Sequence, residues 1–410
     1  MTQSVDAQPL DPQSLDALLE AAVATGRVPN VVAIAADRSG LVYRGAAGPR
    51  AAGGDEPVGV DSVFKIASMT KAVTTVAALQ LVERGALDLD AAVADHLPAF
   101  DNLQVLTGFD GDDRPILRPP RSRSTVRQLM SHTSGLGYWF WSAPIARWEA
   151  LTGTPNATSG HSGTFSAPLV ADPGSRFEYG ISTDWLGRVV EAVSGDSLDV
   201  RLEQHVTGPL GMTDTSFRPD GARRARLVPV HRRSPTADGA DGESWRPTRL
   251  DWNRAPDWWS GGQGLYSTPR DYLVFQRALL GDGALGDTRI LRPETVEAAF
   301  TNQLGDLRVP AHLATADPAS SADLDLGPGM TWGLGLLLNT DRAPGLRAAG
   351  SGGWSGIFNT HFWVDRRSGL TAAIYTQLLP FADPGAFALY RDFEAALYSA
   401  WSAAGGGSPR

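Results

Sequence analysis

The chain has no cysteine among its 410 residues, which excludes disulfides, a thiol nucleophile and a thiolate metal site. No apolar run is long enough to span a bilayer, so no membrane association is expected. The seven histidines show no HExxH or similar spacing, and neither a metal nor an organic cofactor is expected. From Met1 to Asp6 there is no basic segment followed by an apolar core. Without a secretory signal of that kind, the expected compartment is the cytoplasm. A net charge of −9 argues against a nucleic-acid or anionic-membrane partner. The densest basic run, Arg223, Arg224 and Arg226 with Arg232 and Arg233 nearby, reads as a solvated loop. Homo-oligomerisation is left open.

Lysine is nearly absent too. Lys65 and Lys71 are the only two, against 34 arginines (36 basic residues less two). Where a positive charge alone is wanted, this chain uses arginine. A lysine that remains is a candidate for what arginine cannot do, which is to give up its proton near neutral pH. Each lysine follows a serine by three positions, as Ser62/Lys65 and Ser68/Lys71. A serine hydroxyl needs a base to attack a carbonyl, and a neutral amine can serve. That spacing points to a serine hydrolase.

At this length, with 42% apolar and 20% charged residues, the chain is a soluble globular protein with room for two lobes. Leu15, Leu18, Leu19 and Ala22 recur at helical spacing before Gly26. Val31–Ala36 and Leu41–Ala47 read as a β-hairpin across Asp37-Arg38-Ser39-Gly40. An alanine-rich helix is expected from Ser68 to Arg84, closed by Gly85. From about residue 95 to 264 the chain is rich in Pro, Gly, Ser, Arg and Trp, with helical segments at Thr125–Ser131 and Thr183–Val193. Residues 232–248 and 305–329 read as long surface loops. Strand character returns at Trp332–Asn339, Ile357–Asp365 and Leu370–Gln377, and a last helix starts at Pro384 behind an Asp383 cap. The expected organisation is one lobe from 1–94 and 265–402, an inserted helical lobe at 95–264, and a disordered tail at 403–410.

Local geometry separates the two Ser/Lys pairs. On a helix, residues three apart share a face, so Ser68 and Lys71 can meet. In the extended stretch that Val63-Phe64 suggests, residues three apart point to opposite faces, so Ser62 and Lys65 diverge and Lys65 reads as a surface cation. A helix opening at Ser68 also offers backbone N–H groups where an oxyanion would form. Poising Lys71 near neutrality requires a fall of roughly three units from ~10.4, or about 4 kcal/mol, from desolvation and nearby positive potential.

The stretch Phe64-Lys65-Ile66-Ala67-Ser68-Met69-Thr70-Lys71 resembles the nucleophile motif of the serine β-lactamase and penicillin-binding protein superfamily. Leu129 to Trp139 resembles the L-x-S-H-T-S-G-L stretch of its class C-like branch, and Phe177 to Gly187 its Y-x-x element and the capped helix after it. Gly261 to Asp271 and Gly353-Trp354-Ser355-Gly356 complete the set in family order. Within that superfamily the chain is most similar to the family VIII carboxylesterases. The resemblance implies an α+β fold, an antiparallel sheet flanked by helices. It also implies Ser68 as nucleophile, Lys71 as proton acceptor and Tyr179 as proton relay, with oxyanion N–H groups from Ser68 and Ile357.

Two departures bear on substrate. Ile181 stands where the Y-x-N element has an amide, and Trp354-Ser355-Gly356 stands where K-T-G has a lysine. Losing a cation and an amide and gaining an indole suits a neutral ester, with short-chain esters as the expected small-molecule substrates. β-Lactam or other amide hydrolysis and acyl transfer are the alternatives on the same site; a non-catalytic binding relative is a further one. Tyr138, Trp139 and Trp141 are expected to line the acyl pocket, with Tyr138 foremost. Trp258 and Trp259 divide between lid and core. His132 and His361 read as structural hydrogen-bonders rather than general bases. No G-x-S-x-G elbow occurs, which removes support for an α/β-hydrolase.

Overall fold

A computed structural model describes residues 12–235, 243–250, 256–341, 343 and 345–405. Seven strands make the main sheet, labelled in chain order: β1 (Val31–Asp37), β2 (Leu41–Ala47), β3 (Met330–Trp332), β4 (Leu337–Asn339), β5 (Gly352–Gly356), β6 (Thr360–Asp365) and β7 (Leu370–Tyr375). Their spatial order is β3-β4-β5-β6-β7-β1-β2, antiparallel throughout. The first hairpin thus closes against the last strand, pairing Ile34 with Ala373. The sheet is built from both ends of the chain, as expected. Asp37 Oδ1 accepts from Ser39 N and Gly40 N, each at 2.7 Å, and so fixes the first turn.

Both faces of this sheet are covered. Ala33, Ala35, Trp363, Ala372 and Ile374 pack on helices α1 (Gln13–Ala24) and α5 (Pro384–Ala403). The opposite face carries Ile34, Phe362, Val364 and Ala373 and packs on α2 (Thr70–Glu83) and α4 (Pro269–Leu280), while α3 (Ser182–Ser194) lies beyond α2. Helix α2 is buried from Thr70 through Leu81, which accounts for its apolar residues on every side. Asp383 caps α5 by accepting from Gly385 N and Ala386 N at 3.0 Å.

Several expectations need correction. The α-helix does not open at Ser68: Ala67–Met69 form a single 3₁₀ turn and α2 starts at Thr70. Helix α3 follows Ile181 with no side-chain cap; the Ile181 carbonyl takes the N–H groups of Asp184 and Trp185. Within 232–248, Val230–Pro235 and Glu243–Thr248 pair as antiparallel strands, with Arg233 opposite Trp245, while 236–242 lie outside the described residues. Residues 305–329 are not a free loop, since His312–Leu313 pair with Leu324–Asp325. The backbone of that segment is also tied down, Ala316 N to the Phe140 carbonyl and Ala322 N to the Phe381 carbonyl, both at 2.8 Å. Ala403 ends α5, and 406–410 of the expected tail lie outside the described residues. Among the described residues no helix is long and apolar enough to cross a membrane.

Candidate active site

Strand β5 ends against the turn that carries Ser68. A side chain at Gly356 would collide with the Ile66 carbonyl, so only glycine lets the strand approach this closely. Ala67, between them, has φ 44°, a left-handed conformation that a non-glycine residue adopts only under constraint. The constraint is visible: Ile66 N donates to the Leu265 carbonyl, and the Tyr272 hydroxyl donates to the Met69 carbonyl at 2.9 Å. In a 3₁₀ turn, residues three apart eclipse each other, so the altered start of α2 still brings Ser68 and Lys71 together. Lys71 Nζ lies 3.2 Å from Ser68 Oγ. Ser62 and Lys65 diverge: Ser62 Oγ accepts from Gly59 N, while Lys65 Nζ sits 5.3 Å over the Tyr266 ring.

The Lys71 side chain is fully buried. Besides Ser68 it reaches Tyr138 Oη at 3.1 Å and the Gly262 carbonyl at 2.8 Å. Tyr138 Oη is in turn 3.2 Å from Asp184 Oδ2. Asp184 Oδ1 also accepts from Ser260 Oγ at 2.6 Å and Gly262 N at 2.9 Å. Three donors converge on that carboxylate, the arrangement that favours its ionised form. On the other side, Trp354 Nε1 donates to Tyr179 Oη at 2.7 Å.

The two ends of this chain set its direction. An indole N–H can only donate and a carboxylate can only accept. Tyr179 therefore accepts from Trp354, and its own hydrogen is free for Ser68 Oγ. Tyr138 gives its hydrogen to Asp184, so its oxygen accepts from Lys71. A neutral amine has two hydrogens, which go to Tyr138 and Gly262, and its lone pair is left facing the Ser68 hydroxyl.

Burial pushes Lys71 down from its ordinary 10.5 to about 7, and the Asp184 charge partly opposes this. Burial also raises Asp184, against the pull of Lys71 and of its three donors. Tyr179 is raised by burial, with the bonds from Ser68 and Trp354 pulling the other way. His132 is held well below its usual value by burial and then by Lys71. Its ring packs 4.6 Å from the Tyr179 ring and 5.0 Å from that of Trp332, behind the site.

The other residues singled out fall in distinct places. Tyr138, expected on the acyl pocket, is buried with its hydroxyl on Lys71. Trp139 and Trp141 are half-buried, and their indole N–H groups hold the 305–329 segment through Asp317 at 3.0 Å and Ser321 at 3.2 Å. The Trp141 ring lies 5.4 Å from that of Tyr179 and 5.9 Å from that of Phe381. Ile181 is buried where α3 begins, and Ile357 directly follows Gly356. Ser355 points to the α5 side of β5, where its Oγ lies 2.6 Å from His361 Nδ1. Burial brings His361 down to about 3, and its ring stacks on Tyr390 at 4.3 Å. Trp258 is buried against Phe165 and Trp259 packs on Phe217. A cavity of about 500 Å³ adjoins β5, walled by Trp354, Ser355, Met330, Leu337, Phe381 and Phe387.

Sequence reasoning passed over Asp184 and Gly262. An acid in the first turn of a helix reads as a dipole partner. Nothing in the sequence marked Asp184 as buried, since its helical neighbours at i+3, i+4 and i+7 are Gly187, Arg188 and Glu191, a polar face.

A sequence model of the family described as Beta-lactamase matches residues 15–397. The chain is 33% identical over 367 residues to lovastatin esterase of Penicillium rubens, covering 87% of this chain and 90% of that protein. It is 32% identical over 403 residues to monacolin J acid methylbutanoyltransferase of Aspergillus terreus, covering 92% and 93%. Among solved structures, a mutant simvastatin synthase from Aspergillus terreus is similar with a TM-score of 0.81 at 30% identity, over 97% of each chain. With the family model matched over nearly its full length, and the motifs gathered around one buried lysine, the chain belongs to the beta-lactamase family.

Proposed function

We propose that this protein is a serine acyl hydrolase that cleaves neutral carboxylic esters through an acyl-enzyme on Ser68. One observation carries the reading: the Lys71 amine is buried, lowered to about 7, and 3.2 Å from Ser68 Oγ. Ser68 Oγ attacks the ester carbonyl and its proton passes to Lys71. The negative oxygen is met by the N–H groups of Ser68 and Ile357. Tyr179 supplies the proton that the departing alcohol needs, and the protonated Lys71, 4.9 Å from the centre of the Tyr179 ring, neutralises and reprotonates the tyrosinate this leaves. Water then repeats the sequence in reverse and frees the acid.

Trp354 and Ile181, in place of a cation and an amide, support a neutral substrate. The narrower assignment, to the family VIII carboxylesterases, rests on the Trp354-Ser355-Gly356 triplet. A second reading, acyl transfer to an alcohol, is supported by relatives named for both esterase and methylbutanoyltransferase activity. Product ratios in the presence of an added alcohol separate the two.

Fluorophosphonate labelling with peptide mapping tests the core reading. An adduct on Ser68 is expected; no adduct there would overturn it. In a panel of p-nitrophenyl butyrate and nitrocefin the ester is expected to be the better substrate by kcat/KM, and the reverse order would replace the ester by an amide.

Asp184→Asn is expected to lower kcat by about 10–100-fold, the kinetic equivalent of one buried hydrogen bond of about 1–3 kcal/mol. An amide can donate as well as accept, so Tyr138 is no longer forced to turn its lone pair to Lys71. Because the Asp184 charge raises Lys71, its loss moves the alkaline-rising limb of the pH–rate profile below about 7. A limb that stays in place or moves up would remove Asp184 from the network.

A further inference from the structure

On the far side of α4 from Ser68 lies a second cavity of about 500 Å³, whose described lining includes four arginines and no acidic residue. Arg38 and Arg44 come from the β1–β2 hairpin. Arg270 and Arg277 come from α4, where they flank Leu273 and Val274 at positions i, i+3, i+4 and i+7, one stripe of the helix. Leu41 and Leu285 extend the apolar floor. The two pairs of guanidinium groups are separated by more than two hundred residues in sequence, which is why no basic run announced them.

One of the four is already ion-paired, since Arg270 Nε donates to Asp61 Oδ1 at 2.7 Å. Asp37 uses Oδ1 on the N–H and hydroxyl of Ser39 and on Gly40 N. Arg38 spends one N–H on the Arg366 carbonyl at 3.1 Å, and the Arg366 guanidinium itself is taken by Asp282 and Glu297. Arg277 Nε is buried without a hydrogen-bond partner, a donor left unmatched beside the cavity. Burial lowers Arg277 and the Asp37 charge opposes this, so the group stays a cation.

The geometry points to this cavity as a binding site for an amphiphilic oxyanion, a carboxylate or phosphate head on an apolar chain, distinct from the Ser68 site. Planar guanidinium forks match both head groups, and the Leu273–Val274 floor takes the chain. A head group without a chain satisfies only half of the site.

Calorimetric titration at low salt with octanoate, octyl phosphate and inorganic phosphate tests this, on protein whose Ser68 has first been blocked with a fluorophosphonate. Saturable binding of at least one octyl compound is expected, tighter than inorganic phosphate and weakened by added salt. Whichever octyl compound binds better identifies the head group. Arg38→Ala, at an exposed position, and Arg277→Gln are each expected to weaken binding at least tenfold, with ester turnover of the unblocked variants unchanged. No saturable binding, equal affinity for inorganic phosphate, or undiminished affinity in both variants would overturn the assignment.

Discussion

Lys71→Met is expected to lower kcat/KM for a neutral ester by about 10²–10⁴-fold, the usual worth of a general base, without lowering the melting temperature at pH 6. Methionine fills the space of the lysine stem but has no lone pair for the Ser68 proton. The stability half follows from proton linkage. Unfolded, the amine titrates near 10.5; folded, near about 7. Between those values the unfolded chain binds more protons, so stability rises with pH across that window. The penalty is fully present below pH 7 and amounts to about 5 kcal/mol. Methionine removes it, at the cost of the donors to Gly262 and Tyr138, about 1–3 kcal/mol for each group left unsatisfied. Thermal unfolding at pH 6 and pH 10 checks the sign, because the advantage of the variant over wild type must shrink at the higher pH. Arginine at the same position keeps the charge but cannot give up its proton, so Lys71→Arg is expected to be as inactive as Lys71→Met. Wild-type turnover in either variant would place the base elsewhere.

Tyr179→Phe is expected to act according to the leaving group. Tyr179 receives the Trp354 N–H, which leaves its own hydrogen available to the departing alcohol. An alkyl alcohol departs as a poor anion and depends on that proton, so turnover of an ethyl ester falls by about 10²–10⁴-fold. p-Nitrophenolate departs unaided, and its ester loses no more than about tenfold. Steady-state rates on both esters read the difference. Equal losses would assign Tyr179 a packing role, consistent with its buried ring among His132, Trp141 and Trp354 but not with proton transfer.

Much of this was legible in the sequence where local and tertiary preferences agree. The hairpin of β1 and β2 has β-branched runs around an Asp-x-Ser-Gly turn, and the apolar residues of α2 recur all round because the helix is enclosed. Legibility failed where tertiary contacts decide. Gly352-Gly353-Trp354-Ser355-Gly356 has little strand propensity and becomes β5 because it pairs with β4 and β6 and must pass close to Ile66. Ala67 gives no sign of its left-handed backbone, which the flanking hydrogen bonds impose. The Arg- and Ser-rich strand Val230–Pro235 looks like a loop because its pairing partner, not its composition, holds it extended. In the site, the serine–lysine spacing was visible in the sequence. The direction of the hydrogen bonds was not, since it depends on Asp184 and Trp354 meeting the site from opposite sides.

Because the chain contains only two lysines, the protonation of Lys71 can be read directly. Protein labelled with ε-¹³C lysine yields two side-chain resonances, and the one absent from Lys71→Met belongs to Lys71. That resonance is expected to titrate with a midpoint near 7, and in the Asp184→Asn protein at a lower pH. A Lys71 midpoint near 10 would mean a charged amine at working pH, and Ser68 would be without its base.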